Sequence, residues 1–228
     1  MELYWNEVLT GEMLMFGLLG KAFYQYPERA WIQSLIDGDV FTEAPFAGDQ
    51  PQVSTALALL RAWSKQHRAG ISEQAFDDLC ADYTRLFVGP GMVLTPPWES
   101  VFFSEERLTF QEQTLQVREW YRRYGLQVEK LHHEPDDHIG LELEFVAHLA
   151  KMGLLGLEQN GGDALERALD AQRDFLSEHL LRWALDWCAQ VQAQAQNDFY
   201  RGIALLTRGA LHHAAEMLGA KIGKGTKE

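Results

Sequence analysis

Three carboxylates and a histidine are concentrated in one short segment of the chain, Glu134-Pro135-Asp136-Asp137-His138. A run with helical hydrophobic periodicity begins directly after it, at Ile139. Asp136 and Asp137 are expected in the first helical turn, where carboxylates complement the helix dipole and cap backbone N–H groups. The same residue types can bind a pair of arginines, because guanidinium groups dock bidentately on carboxylates. Both roles stay open, and His138 could hold the geometry of this cluster or respond to pH.

A second group of informative residues lies upstream and is apolar. An amphipathic helix closes with Tyr83, Leu86 and Phe87 on one face, and a glycine- and proline-rich turn leads into Pro96-Pro97-Trp98-Glu99-Ser100. Because the two prolines fix φ, they present Trp98 from a rigid turn at little entropic cost. We therefore predict a pocket with an apolar wall and an acidic rim. The alternative is that this loop only fills its own core.

Histidines and carboxylates near the acidic segment could also bind a metal. Helical ligand pairs need offsets of three or four residues on one face. Glu129 and His132 have the Glu-x-x-His offset, but no second copy completes a site. His138 and Glu142 have i, i+4 spacing, which is commoner among surface contacts. We expect no metal or cofactor, and a helical metal-dependent hydrolase that uses His138 and Glu142 is the enzyme alternative.

Sequence motifs of nucleophilic or phosphate chemistry do not occur in the chain. It has no Gly-x-Ser-x-Gly elbow, no Gly-x-x-x-x-Gly-Lys-Ser/Thr loop and no Gly-x-Gly-x-x-Gly. Cys80 and Cys188 are isolated from each other and from any metal-ligand spacing, so neither a disulfide framework nor a zinc site is expected. These features favour binding over catalysis.

Composition narrows the class of partner. The 228 residues carry a formal net charge of -13 with 46% hydrophobic content, which is enough to bury a core. Phosphate backbones are bound by clustered Lys and Arg, so the acidic balance argues against nucleic acid and suits a basic partner. The amino terminus is acidic, unlike a secretory signal, and the apolar run 13–20 is shorter than the roughly 20 residues that span a bilayer. We expect a soluble cytoplasmic protein.

Helical periodicity dominates the sequence, and no run with the alternation of a β-strand competes with it. The second half is predicted to form helices over 139–155, 164–180, 181–195 and 199–218. Ser72, Asp163 and Asp198 are predicted N-caps. Alternating helices and short loops predict an all-α bundle of roughly eight to ten helices.

Two segments, 37–51 and 88–104, are predicted to be irregular. We expect the chain to form a single unit, with a possible division into two lobes, 1–124 and 137–218, joined by a hinge at 125–136. Such a chain could work as a monomer or as a domain-swapped dimer. The glycine- and lysine-rich end, 219–228, is predicted to be flexible.

Three motifs in this order closely resemble those of the TorD/DmsD family of redox-enzyme maturation chaperones. They are Tyr83-Thr84-Arg85-Leu86-Phe87-Val88-Gly89-Pro90, Pro96-Pro97-Trp98-Glu99-Ser100-Val101 and Glu134-Pro135-Asp136-Asp137-His138-Ile139-Gly140, and Asp198-Phe199-Tyr200-Arg201 resembles a late helix start of the family. The Leu-Phe-Val-Gly-Pro and Pro-Pro-Trp-x-Ser-Val strings make the DmsD branch look nearest.

The resemblance implies an all-α cytoplasmic chaperone rather than an enzyme. It implies binding of the twin-arginine signal peptide of a molybdopterin-containing reductase precursor, of the DMSO or TMAO reductase type, and delay of export until cofactor insertion and folding are complete. The export machinery itself could be a further partner. By motif position the binding residues would be Tyr83, Leu86, Phe87, Pro97, Trp98, Ser100, Glu134, Pro135, Asp137 and His138. An adaptor that binds another partner helix is the remaining alternative.

Overall fold

Helices form all the regular structure of the residues described by the computed structural model, which are 2–90, 93–127, 134–159 and 162–223. This part of the chain contains ten α-helices and a single isolated bridge between Trp98 and His138. The helices are α1 Glu2–Tyr24, α2 Arg29–Asp37, α3 Pro51–Gln66, α4 Glu73–Tyr83, α5 Glu99–Phe103, α6 Glu112–Arg123, α7 Ile139–Glu158, α8 Gly162–Phe175, α9 Leu181–Gln194 and α10 Asp198–Leu218. The predicted all-α class is confirmed.

The main helix pairs join the two halves of the sequence. Helix α1 packs along α7, and α3 packs along α10. Buried side chains of both halves form one continuous hydrophobic cluster. The two predicted lobes therefore share a core in a single chain. In a domain-swapped dimer that exchanged them, the α1–α7 and α3–α10 contacts would be made between two chains.

Two glycines allow α1 and α7 to approach closely. A Cβ atom on Gly140 would lie 2.7 Å from the Gly20 carbonyl oxygen and 2.7 Å from the Tyr24 Cβ atom. A Cβ atom on Gly20 would in turn lie 2.7 Å from the Gly140 carbonyl oxygen. No larger residue fits this crossing, which places the start of α7 against the end of α1.

Two single-turn π-helices interrupt the α-helical pattern in the described part of the chain. Thr84–Val88 continues α4, and Gly89 ends it with a φ of 92°. Leu176–Leu180 joins α8 directly to α9. Such π-turns carry one extra residue and often occur at functional sites. The regular face predicted through Tyr83 and Phe87 is therefore locally displaced, although both side chains are still buried.

Helix ends agree only partly with the prediction. Ser72 is the N-cap of α4, because its side chain accepts a hydrogen bond from the Ala75 N–H. The caps predicted at Asp163 and Asp198 are wrong: α8 begins before Asp163, and the Asn197 side chain caps α10. Segment 88–104, predicted to be irregular, contains the short helix α5.

The end of the chain is hydrogen-bonded to the body as far as it is described. The Lys221 N–H donates to the Ser177 hydroxyl oxygen at 2.9 Å, and the Gly223 N–H donates to the Leu181 carbonyl at 3.2 Å. The predicted flexibility of 219–228 stays a prediction, since 224–228 lie outside the described residues. Within the described part, no helix is long and apolar enough to cross a membrane.

Candidate functional site

The acidic segment forms the entrance to α7 in a way that differs from the prediction. His138 is the N-cap, and its Nδ1 atom accepts a hydrogen bond from the Gly140 N–H at 3.0 Å. Asp136 and Asp137 precede the helix, so the prediction that they occupy its first turn is wrong. Burial lowers the pKa of His138 to about 3. This pKa favours the neutral ring at physiological pH.

Asp137 caps a different helix. Its Oδ2 atom accepts a hydrogen bond from the Ser100 N–H at 2.7 Å, and its Oδ1 atom accepts one from the Thr114 hydroxyl at 2.7 Å. Its carbonyl also accepts from the Glu99 N–H at 3.0 Å. This fully buried carboxylate thus holds α5, α6 and the entrance of α7 together.

Asp136 is also turned inward. Its carboxylate pairs with the Arg118 guanidinium at 2.7 Å, and its carbonyl accepts a hydrogen bond from the Tyr121 hydroxyl at 3.1 Å. Both aspartates are satisfied by protein groups. Glu134 is the only carboxylate of the segment that is partly exposed.

Trp98 and Glu134 form the accessible part of the predicted site. The Trp98 Nε1–H donates to Glu134 Oε1 at 2.8 Å, and both side chains are only partly buried. The His138 ring lies between the Tyr24 and Trp98 rings, with centroid distances of 5.2 and 5.9 Å and edge-to-face angles of 81° and 83°. The indole therefore has a fixed position beside a carboxylate.

The loop that leads to Trp98 is held by hydrogen bonds on both sides. Thr95 donates from its N–H and from its hydroxyl to the Leu86 carbonyl, both at 3.0 Å. The Trp187 indole N–H donates to the Pro96 carbonyl at 3.0 Å. These contacts, and the isolated bridge between Trp98 and His138, position the indole without regular structure in the loop.

The predicted apolar wall is largely core. The other predicted site residues are all buried: Tyr83, Leu86, Phe87, Pro97, Ser100, Pro135, Asp137 and His138. The Tyr83 hydroxyl donates to the carbonyls of Phe23 at 2.9 Å and Tyr24 at 3.2 Å, at the end of α1. In this conformation these side chains support the Trp98–Glu134 pair instead of facing solvent.

Tyr24 and Tyr26 lie against the predicted residues His138 and Tyr83 but were not predicted. Tyr26 is 54% exposed and packs edge-on against Tyr83, with a centroid distance of 5.5 Å. Burial and, to a smaller extent, the charge of Glu134 raise the pKa of the Tyr83 hydroxyl. The only local signal is a Tyr-Gln-Tyr-Pro string after an apolar helix. The described surface is thus an aromatic group with one acidic member.

A buried polar cluster lies behind this surface. The His179 Nδ1 atom is 2.8 Å from Glu99 Oε2, and burial raises the pKa of Glu99. Both carboxyl oxygens of Glu142 lack a hydrogen-bond partner among the described residues. Burial, and then the charges of Glu99 and Asp137, raise the pKa of Glu142 well above its ordinary value. Burial thus favours the protonated, neutral forms of the Glu99 and Glu142 carboxyl groups.

A metal centre is not evident in the described part of the chain, where no group of three or more His, Cys, Asp or Glu side chains is arranged to hold an ion. Glu129 and His132, which have the Glu-x-x-His offset, lie outside the described residues.

Comparisons with known proteins identify the family. Residues 47–189 match the family model described as nitrate reductase delta subunit. The chain is 30% identical over 190 residues to the probable Tat proofreading chaperone DmsD of Haemophilus influenzae, and the match covers 83% of each chain. The chain belongs to the TorD/DmsD family of redox-enzyme maturation chaperones. Its named relatives are chaperones, so this TorD/DmsD-family protein is a maturation chaperone rather than an enzyme.

Other members give consistent matches. The Tat proofreading chaperone DmsD of Salmonella typhi is 30% identical, with 84% of this chain and 82% of that protein covered. The chaperone protein TorD of Vibrio cholerae is 36% identical over 46% of each chain. A redox enzyme maturation protein from Archaeoglobus fulgidus has a similar fold, with a TM-score of 0.50 at 19% identity over 86% of this chain and 91% of that one.

Proposed function

We propose that this chaperone binds the twin-arginine signal peptide of a molybdopterin-containing reductase precursor, of the DMSO or TMAO reductase type. The observation that carries the proposal is the partly exposed Trp98 indole hydrogen-bonded to the Glu134 carboxylate. A guanidinium group can stack on an indole face and pair with a carboxylate at the same time. One ring beside one acid is therefore a suitable receptor for an arginine side chain.

The neighbouring aromatic surface suits the rest of such a peptide. The exposed Tyr26 ring and the partly exposed Trp98 ring offer apolar area for the hydrophobic stretch that follows the arginines in a leader. The buried members of the predicted site, such as Pro97 and Ser100, would act by holding Trp98 in place. The acidic balance of the whole chain would favour encounter with a basic peptide.

In this proposal the chaperone works in the cytoplasm and delays export until cofactor insertion and folding are complete. Release would hand the precursor to the Tat export machinery, which is a further proposed partner. The working form is a monomer, or a dimer in which the two lobes are exchanged through the hinge at 125–136.

The test is calorimetric titration with a synthetic leader peptide and a matched peptide in which the two arginines are glutamines. We expect Trp98→Ala to weaken binding by about 1–3 kcal/mol, as expected for an aromatic anchor. Trp5→Ala is the matched control, since this partly buried tryptophan lies near the other end of α1, about 28 Å from Tyr24 at 1.5 Å per residue. If a folded Trp98→Ala variant bound the leader with unchanged affinity, the binding site would not include Trp98.

A second variant tests the role of charge. Glu134→Gln should weaken binding of the Arg-Arg peptide more than binding of the Gln-Gln peptide, because only the first loses an ion pair. Equal losses of affinity for both peptides would contradict an ion pair between Glu134 and an arginine of the leader. They would favour an adaptor that binds an apolar partner helix without preference for arginine pairs.

A further inference from the structure

A small pocket with an unusual charge lies away from the Trp98–Glu134 surface, between the turn after α2 and the second half of α3. Its volume is about 220 Å³. Arg61, Lys65 and Arg68 contribute side chains to its lining, together with the hydroxyl residues Thr42 and Ser64. Three cations around one pocket contrast with the net charge of -13 of the whole chain.

The carboxylate of the pocket neutralises only part of this charge. Asp39 pairs with the Arg68 guanidinium at 2.9 Å. Asp39 has a φ of 48°, and its carbonyl accepts a hydrogen bond from the Thr42 N–H at 2.9 Å, so the turn that carries it is well defined. The Arg61 Nε–H donates to the Leu57 carbonyl at 3.2 Å, which orients that guanidinium from within α3. Two positive charges are left over at the pocket.

Ser64 provides an independent indication of a ligand. Ser64 is 9% exposed, and its hydroxyl oxygen is buried without a hydrogen-bond partner among the described residues. A serine within a helix usually bonds back to the carbonyl four residues earlier, and an unsatisfied buried hydroxyl costs free energy. A ligand with acceptor oxygens in the pocket would satisfy this donor.

We infer that this pocket binds a phosphate group, held by Arg61 and Lys65 and by the Ser64 hydroxyl. Guanidinium and ammonium groups with a hydroxyl donor match the tetrahedral oxygens of phosphate. The volume is below the 300–1,000 Å³ or so of sites for drug-sized ligands, so the occupant is free orthophosphate or a small phosphate monoester. This site goes beyond the proposed leader binding and does not depend on it.

The test is calorimetric titration of the full chain with inorganic phosphate, at an ionic strength kept constant with chloride. We expect saturable binding of one phosphate per chain. The double variant Arg61→Gln/Lys65→Gln should bind at least about tenfold more weakly, since two charge-assisted contacts are lost. The matched control is Arg122→Gln/Lys151→Gln, which removes two exposed cations elsewhere and leaves the same net charge.

Ser64→Ala distinguishes a built site from a diffuse basic surface. It should weaken phosphate binding about threefold or more without a change in charge. A parallel titration with glycerol phosphate separates the two sources: tighter binding of glycerol phosphate indicates a small monoester, and tighter binding of orthophosphate indicates the free anion. Unsaturable uptake, or an equal loss in the control double variant, would overturn the inference because it would reflect general salt binding.

Discussion

The carboxylate of Asp137 bonds to the backbone N–H of Ser100, so a residue two positions before α7 caps α5. The bond is 2.7 Å long and fully buried. It ties together two of the three family motifs, one on each side of α6. The acidity of this segment therefore has a structural use, and Glu134 is left as its acidic group at the surface.

Asp137→Asn should destabilise the protein. The amide keeps the shape but replaces a charged acceptor by a neutral group that has one acceptor oxygen instead of two. We expect a loss of about 1–3 kcal/mol of unfolding free energy in a urea titration. The exposed Asp163→Asn on α8 is the control and should change it by less than about 0.5 kcal/mol. A stable Asp137→Asn variant with lost leader binding would instead assign Asp137 a direct role in recognition.

Glu142→Gln should stabilise the protein at neutral and alkaline pH. The pKa of Glu142 is raised in the folded state from an ordinary value of 4.5, so the folded state holds a proton that the unfolded state releases above that pH. Stability is therefore lost as pH rises above about 4.5, and the variant removes this loss. Thermal unfolding at pH 4.5 and pH 8 measures it, with the exposed Glu166→Gln as control. The same shift in melting temperature at both pH values would contradict the burial of an unpaired carboxyl.

Gly140→Ala should cost more than 2 kcal/mol or so, because the new methyl group meets backbone atoms of α1 that cannot move aside. Gly17→Ala is the matched variant, since its Cβ would meet nothing within 4 Å and α1 gains helix propensity. We expect that variant to be stabilised by up to about 1 kcal/mol. Denaturant titration of both variants measures the expected decrease in unfolding free energy for Gly140→Ala and the expected increase for Gly17→Ala. Equal stability of the two variants would contradict the close crossing of α1 and α7.

Leader affinity should not change through His138 between pH 5.5 and pH 7.5 or so, because a group with a pKa of about 3 stays neutral there. His138→Asn keeps a side-chain acceptor for the N-cap of α7 and should show the same pH profile as the unchanged protein. Calorimetric titration at several pH values tests this. A pH dependence that disappears in His138→Asn would show that the ring titrates near neutrality.

Sequence patterns predicted those structural features that are determined by residues close together in the chain. The Ser72 cap and the helical periodicity of α4 and α7 follow from a few adjacent positions. Asn197 and Asp198 both have side chains that favour the N-cap position, so the sequence did not determine which of them starts α10. The prediction chose Asp198, whereas Asn197 is the cap. Helix α5 is too short to show a period, and π-turns are defined by hydrogen bonding that no residue pattern specifies.

Whether each acidic side chain points into the protein or toward solvent depends on partners that are distant in the sequence. Asp137 meets Ser100 and Thr114, and Asp136 meets Arg118, through contacts that exist only once α5 and α6 have packed. The sequence therefore located the polar centre but could not separate its buried members from Glu134. In the same way, the exposed position of Tyr26 beside Tyr83 required the end of α1 to be placed against α4.

The packing of α1 against α7 also constrains the synthesis of the chaperone itself. Helix α1 has its main partner, α7, in the second half of the chain, and α3 has its partner in α10. Contacts between residues so distant in sequence slow folding, because the loop between them must close first. During synthesis the apolar faces of α1 and α3 are therefore uncovered until α7 and α10 have also been made. Synthesis of this maturation chaperone thus includes a stage in which α1 and α3 exist before the helices that cover them.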